Sequence, residues 1–150
     1  MLKGKIFILV SVMVTIMAVT LLFFYIRNNN SEVNKLYIKW NIKLPKDTEL
    51  TYENEDYGWF GEGSKYIVFK VDQDLSTLFT SEKENLKEKN PDLELKVNSA
   101  ISQFSKPISI EEKIPWDSEY YWKIAVKDNT ILYLIYLKEN SKLFALEVTE

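Results

Sequence analysis

The sequence predicts an α+β fold: an N-terminal transmembrane helix, then a mostly antiparallel sheet of about six strands, in the order β-β-β-α-α-β-β-β, with the helices on one face. Three observations predict it. Ile6 to Ile26 runs without a charge. Strand-like segments bounded by turn residues fill 35–71 and 120–148, alternating with period two at 35–44 and apolar on both faces at 66–71 and 131–137. Between those stretches the apolar spacing turns helical, and separate runs of strands and helices indicate a two-layer α+β domain.

The N-terminal run comes first. Lys3 and Lys5 precede it and Arg27 closes it. At about 1.5 Å rise per residue, a helix over these positions covers roughly 31 Å, the thickness of a bilayer's hydrocarbon core. A cleaved secretory signal has an apolar region of about 7 to 15 residues before a small-x-small site. Here the candidate site, Ala18-Val19-Thr20, is followed by more apolar residues, and no cysteine follows for lipoprotein processing. Residues 1–27 therefore read as a membrane anchor that enters the lipid bilayer through Ile6 to Ile26. Residues 28–34 read as a polar stalk, and 35–150 as a single α+β domain. The short tail before the run favours a single-pass protein of the cell membrane with its domain outside the cytoplasm.

Within the domain, Leu36, Ile38, Trp40, Ile42 and Leu44 alternate with Lys35, Tyr37, Lys39, Asn41 and Lys43. That pattern predicts a first strand, ended by Pro45, which has no N–H to donate. Glu49 to Glu55 and Tyr66 to Val71 read as the next two. From Asp72 the spacing of Leu75, Leu78, Phe79 and Leu86 predicts a helix capped by Asp72 or Asp74 and stopped at Asn90-Pro91-Asp92. Leu93 to Val97 reads as a short strand or connector, and Ser99 as the cap of a second short helix carrying Ala100, Ile101 and Phe104. Tyr120 to Lys127, Thr130 to Lys138 and Leu143 to Val148 read as a meander, with turns at Asp128-Asn129 and Glu139-Asn140-Ser141.

Composition excludes more than it assigns. All 22 acidic residues and 16 of the 19 basic ones lie beyond residue 27, so that part carries a net charge of −6. Such a domain has no electrostatic reason to bind nucleic acid. Histidine and cysteine are absent, which removes Ser-His-Asp and Cys-His catalysis, the usual zinc and haem sites and thiol redox chemistry. No cofactor or metal is expected, and acid–base work would fall to Asp, Glu, Lys or Tyr.

One loop stands apart. Three of the four glycines, Gly58, Gly61 and Gly63, sit among Tyr57, Trp59 and Phe60, with Glu62 between the last two glycines. Glycine relaxes backbone sterics, so the three read as shaping the backbone. The aromatics admit two readings: packing against the end of the sheet, or a recognition surface for a protein, peptide or glycan. In the second reading Tyr57, Trp59, Phe60 and Glu62 form the binding site, and Trp116 of the later cluster Ile114 to Trp122 joins them in one groove. Glu55 and Glu62 could also face each other as a hydrolytic carboxylate pair.

The stretch Leu44-Pro45, Tyr52 and Gly58-Trp59-Phe60-Gly61-Glu62-Gly63-Ser64-Lys65-Tyr66-Ile67-Val68-Phe69 resembles a pattern in small, uncharacterised, N-terminally membrane-anchored proteins of Gram-positive bacteria. The resemblance covers about a quarter of the chain and implies no activity. The expectation is a membrane-anchored, non-enzymatic extracytoplasmic domain that binds a protein or envelope partner in a regulatory or protective role. The alternative is a carboxylate-dependent cell-envelope enzyme such as a glycan hydrolase.

Overall fold

A computed structural model describes residues 12–21, 31–59, 61–79 and 89–150. The chain divides into two compact units, Met1–Lys43 and Leu44–Glu150.

In the first unit, helical backbone covers 12–21 (α1), and a second helix, α2, covers Glu32–Trp40. No helix among the described residues is long and apolar enough to cross a membrane. This corrects the expected transmembrane helix, of whose span 6–26 the positions 6–11 and 22–26 lie outside the described residues. The expected first strand is also overturned, because Leu36 to Trp40 belong to α2. Ser31 caps the helix by accepting the Asn34 N–H, and Lys35 pairs with Glu32 at 2.6 Å. Asn41 ends it in the left-handed region, its N–H bonded to the Leu36 and Tyr37 carbonyls. Asparagine tolerates that conformation better than most residues. Val33, Leu36 and Trp40 fall on one helical face, and of these Leu36 is fully buried while Tyr37 and Ile38 are exposed. The same residues satisfy both periods, and the caps decide for the helix.

The second unit is a five-stranded, fully antiparallel sheet rather than a six-stranded one. Its strands are β1 (Glu49–Tyr57), β2 (Gly63–Lys70), β3 (Tyr121–Lys127), β4 (Thr130–Leu137) and β5 (Lys142–Thr149), in spatial order β1-β2-β5-β4-β3. The expected meander is present as β3-β4-β5. Its turns use Asp128 and Ser141 at positive φ. Edge strand β1 has a register shift at Thr51, whose hydroxyl donates to the Val68 carbonyl at 3.0 Å.

The expected helix from Asp72 is, among the described residues, a 3-10 turn at Ser76–Phe79 (η1), with Asp74 accepting the Ser76 N–H at 2.9 Å; residues 80–88 lie outside them. Asn90-Pro91 starts a helix. Helix α3 spans Pro91–Ser102, with Asn90 as N-cap accepting from Leu93 N–H and Pro91 in the first turn. Proline is tolerated there because that N–H has no helical partner to lose. Leu93–Val97 is thus helical, and Ser99 lies inside the helix.

Leu93, Val97 and Ile101 share the buried face of α3 and pack with Tyr66, Val68, Tyr133, Ile135, Phe144 and Leu146 of the sheet. The opposite face is buried too: Ile67, Phe69, Leu132, Leu134, Tyr136, Leu143 and Ala145 are all under one-tenth exposed. There Phe79 stacks on Tyr136 with ring centroids 6.0 Å apart. Strands buried on both faces lose their alternation, which is why β4 reads as a continuous apolar run.

At the start of α3 the Tyr120 hydroxyl donates to Glu94 and accepts the Asn90 N–H, both at 2.7 Å. Burial pushes its pKa up to about 12 with help from Glu94, while the Asn90 N–H bond pulls it the other way. On the surface, the Lys138 side chain holds the Asp74 carboxyl down at about 2, with help from Ser76, and Asp74 in turn raises Lys138. A depressed carboxyl pKa gives stability that is present above the unfolded value near 3.8 and lost as pH falls toward the folded value. Asp74→Asn should therefore leave less stability to lose between about pH 4 and pH 2, and in the parent the same pair is lost at the alkaline end as pH rises through the raised Lys138 pKa. Urea midpoints of both proteins across that range check the sign, and parallel pH profiles would contradict it.

Candidate functional site

The glycine-aromatic loop is the tip of the β1–β2 hairpin. Gly58 N–H donates to the Glu62 carbonyl at 2.7 Å and Gly61 N–H to the Gly58 carbonyl at 3.3 Å. Gly61 and Gly63 adopt φ +86° and +150°. At Gly63 an added Cβ would sit 2.2 Å from the Asp56 carbonyl oxygen and 2.7 Å from Tyr57 Cα. At Gly58 it would meet the movable carboxylate of Glu62. The turn is a tied backbone rather than a slack one, and Gly63 closes it.

On that turn Trp59 is 100 % exposed. The packing reading therefore does not describe Trp59, whose ring covers no part of the sheet. Tyr57 is half exposed, and Phe60 lies outside the described residues.

Beneath the turn, the segment that follows α3 is tied to the inner face of β1. Ser105 N–H donates to Asp56 Oδ2 at 2.6 Å, and Asn54 Nδ2 donates to the Lys106 carbonyl at 2.9 Å. The Ser105 backbone bond, and then the Ser105 side chain, hold the Asp56 carboxyl below its ordinary value. Between α3 and the sheet at this end runs an open groove of about 780 Å³. Its α3 wall is Leu95, Lys96, Ser99, Ala100 and Gln103; its sheet wall is Ile131, Tyr133, Val148 and Thr149; Glu62 to Ser64 and Glu150 border it. Burial, and then Glu150, raise the Tyr133 hydroxyl above its ordinary value. The sequence does not announce this groove, because Leu93 to Val97 reads as a strand or connector and hides the outward position of Leu95 on a helix.

Trp116 is elsewhere. Its ring meets Tyr120 edge-on at 5.3 Å, and its indole N–H donates to Asn98 Oδ1 at 2.9 Å. At about 100° per residue, Asn98 and Glu94 lie on one flank of α3 and Lys96, Ala100 and Gln103 on the other. Trp116 is thus a packing residue of the far flank and does not share a groove with Trp59.

The carboxylates are separated as well. Lys65, only 6 % exposed, faces away from α3 with Ile67 and Phe69. It pairs there with Glu55 and, at 2.6 Å, with Glu53, and its cross-strand neighbour in β5 is Glu147. Glu62 instead borders the α3-side groove. Glu55 and Glu62 therefore stand on opposite faces of the hairpin, and Glu55 is engaged by an ammonium group. Among the described residues, no three acidic side chains are grouped to hold a metal ion. Comparison of the chain with known protein families, with characterised proteins and with solved structures finds no match.

Proposed function

We propose that the second unit is a non-enzymatic binding domain that presents the β1–β2 hairpin tip to a protein or envelope partner, in a regulatory or protective role outside the cytoplasm. The observation that carries the reading is Trp59, fully exposed on a turn fixed by its own hydrogen bonds and by Gly63. Exposing a tryptophan costs solvation without folding benefit, and a preorganised aromatic anchor loses little entropy when a partner covers it. Such anchors dominate interface energetics.

Because Trp59 is fully exposed, Trp59→Ala should change the unfolding free energy by less than about 0.5 kcal/mol. A photo-crosslinking residue at position 59 of the full chain should capture one discrete partner in intact cells, and Trp59→Ala should lower that partner's affinity by about tenfold or more. A large loss of stability in Trp59→Ala, or no discrete crosslink, would sink the reading.

The proposed membrane location rests on the uncharged run 6–26 and is tested separately. The full-length chain should sediment with membranes. Recovery in a detergent-free aqueous fraction would overturn the location and leave the binding proposal standing.

A further inference from the structure

We infer that the groove beside α3 takes an extended peptide segment that is both apolar and basic; this deepens the binding reading above, on which it rests. The floor is apolar. Ile131 and Val148 are only partly buried, and Leu95 is 70 % exposed on a helix whose opposite face fills the core. A leucine held out beside two half-covered sheet residues leaves a strip that apolar side chains can cover.

Charge selects among apolar segments. Glu62 and Glu150 both stand at the border, flanking the terminal Gly63↔Thr149 pair of β2 and β5, against the single ammonium of Lys96. None of the three has an ion-pair partner among the described residues. The border therefore carries a net negative charge, within a domain that is itself acidic. An incoming lysine or arginine meets attraction and an acidic segment meets repulsion, which sets partner choice more than raw affinity. The groove also continues into the hairpin through Glu62 and Gly63, so one partner can cover the strip and Trp59 together. A segment that alternates apolar and basic residues places one set against the strip and the other toward the two carboxylates.

The test uses the full chain and two short fluorescein-labelled peptides, one alternating leucine with lysine and one alternating leucine with glutamate, read by fluorescence anisotropy. The lysine peptide should bind saturably and the glutamate peptide should not. Leu95→Gln, at an exposed position that folding does not need, should weaken binding about tenfold, and Glu62→Lys with Glu150→Lys should do the same. Asp117→Lys with Glu139→Lys changes the net charge equally at exposed positions outside the groove, and should leave affinity within about twofold. Equal weakening by the two reversals would show general charge attraction and overturn the proposal, as would an unchanged Leu95→Gln or no saturable binding. If the crosslink at position 59 still captures a partner when these peptide results fail, the groove assignment falls and the hairpin reading stands.

Discussion

Gly63→Ala is expected to lower the unfolding free energy by about 3 kcal/mol, the largest effect of any single methyl added to the hairpin. Two separate costs combine. The φ of +150° is one that L side chains rarely adopt, and forcing alanine into positive φ costs about 1 kcal/mol or more. The new Cβ also lands 2.2 Å from the Asp56 carbonyl oxygen, and backbone cannot swing aside as a side chain can. Relief requires the strands to part at Tyr57↔Gly63, the last pair before the turn. The neighbouring glycines serve as internal controls. Gly61→Ala meets open space at φ +86° and should cost about 1 kcal/mol. Gly58→Ala meets only the end of the Glu62 side chain and should cost less than Gly61→Ala. Urea denaturation of the three variants gives the order, and Gly63→Ala within about 1 kcal/mol of the parent would show that the hairpin has another way to close.

This hierarchy also marks how far the sequence could be read. The cluster of three glycines reads as a backbone shaped around the aromatics, and Gly61 and Gly63 take positive φ in that turn. Which glycine closes it depends on the approach of Asp56 and Tyr57 across the hairpin, a distance the sequence does not encode locally. The strands from Tyr66 onward were legible because β-branched and aromatic residues lie between turn residues at 128–129 and 139–141. Two errors share one cause. Leu36 to Leu44 alternates strictly, yet Val33, Leu36 and Trp40 also satisfy a helical stripe, and Ser31 and Asn41 supply caps at both ends. Asn90-Pro91 is equally double-valued, since the pair can end one helix or cap and begin another. Local pattern offered two states in each case, and cap hydrogen bonds chose between them.

Lys65 marks a further limit of local reading, because its surroundings are assembled by sheet register alone. β1 contributes Glu53 and Glu55, and β5 contributes Glu147 from the far end of the chain. Lys65→Met should cost about 3 kcal/mol of stability. Truncating one member of a buried ion pair leaves its partners' charge uncompensated, which costs more than the pair itself contributes. The figure stays near the lower end of that class because the Glu53 and Glu55 side chains are 34 % and 46 % exposed, so water screens part of the unpaired charge. Lys65→Arg keeps the charge and should recover most of the loss, while Glu53→Gln in the Lys65→Met background should recover part of it, giving a coupling measurable by a double-mutant cycle. A neutral Lys65→Met would mean that the stem of the lysine, packed beside Ile67, supplies the stabilisation and the charges cancel. The same cluster bears on the glycan-hydrolase alternative. Glu55 is committed to Lys65 on the face opposite Glu62, so Glu55→Gln should change stability and leave partner binding at the hairpin intact. Loss of a hydrolytic activity in Glu55→Gln at unchanged stability would reverse that conclusion and return the carboxylates to a chemical role.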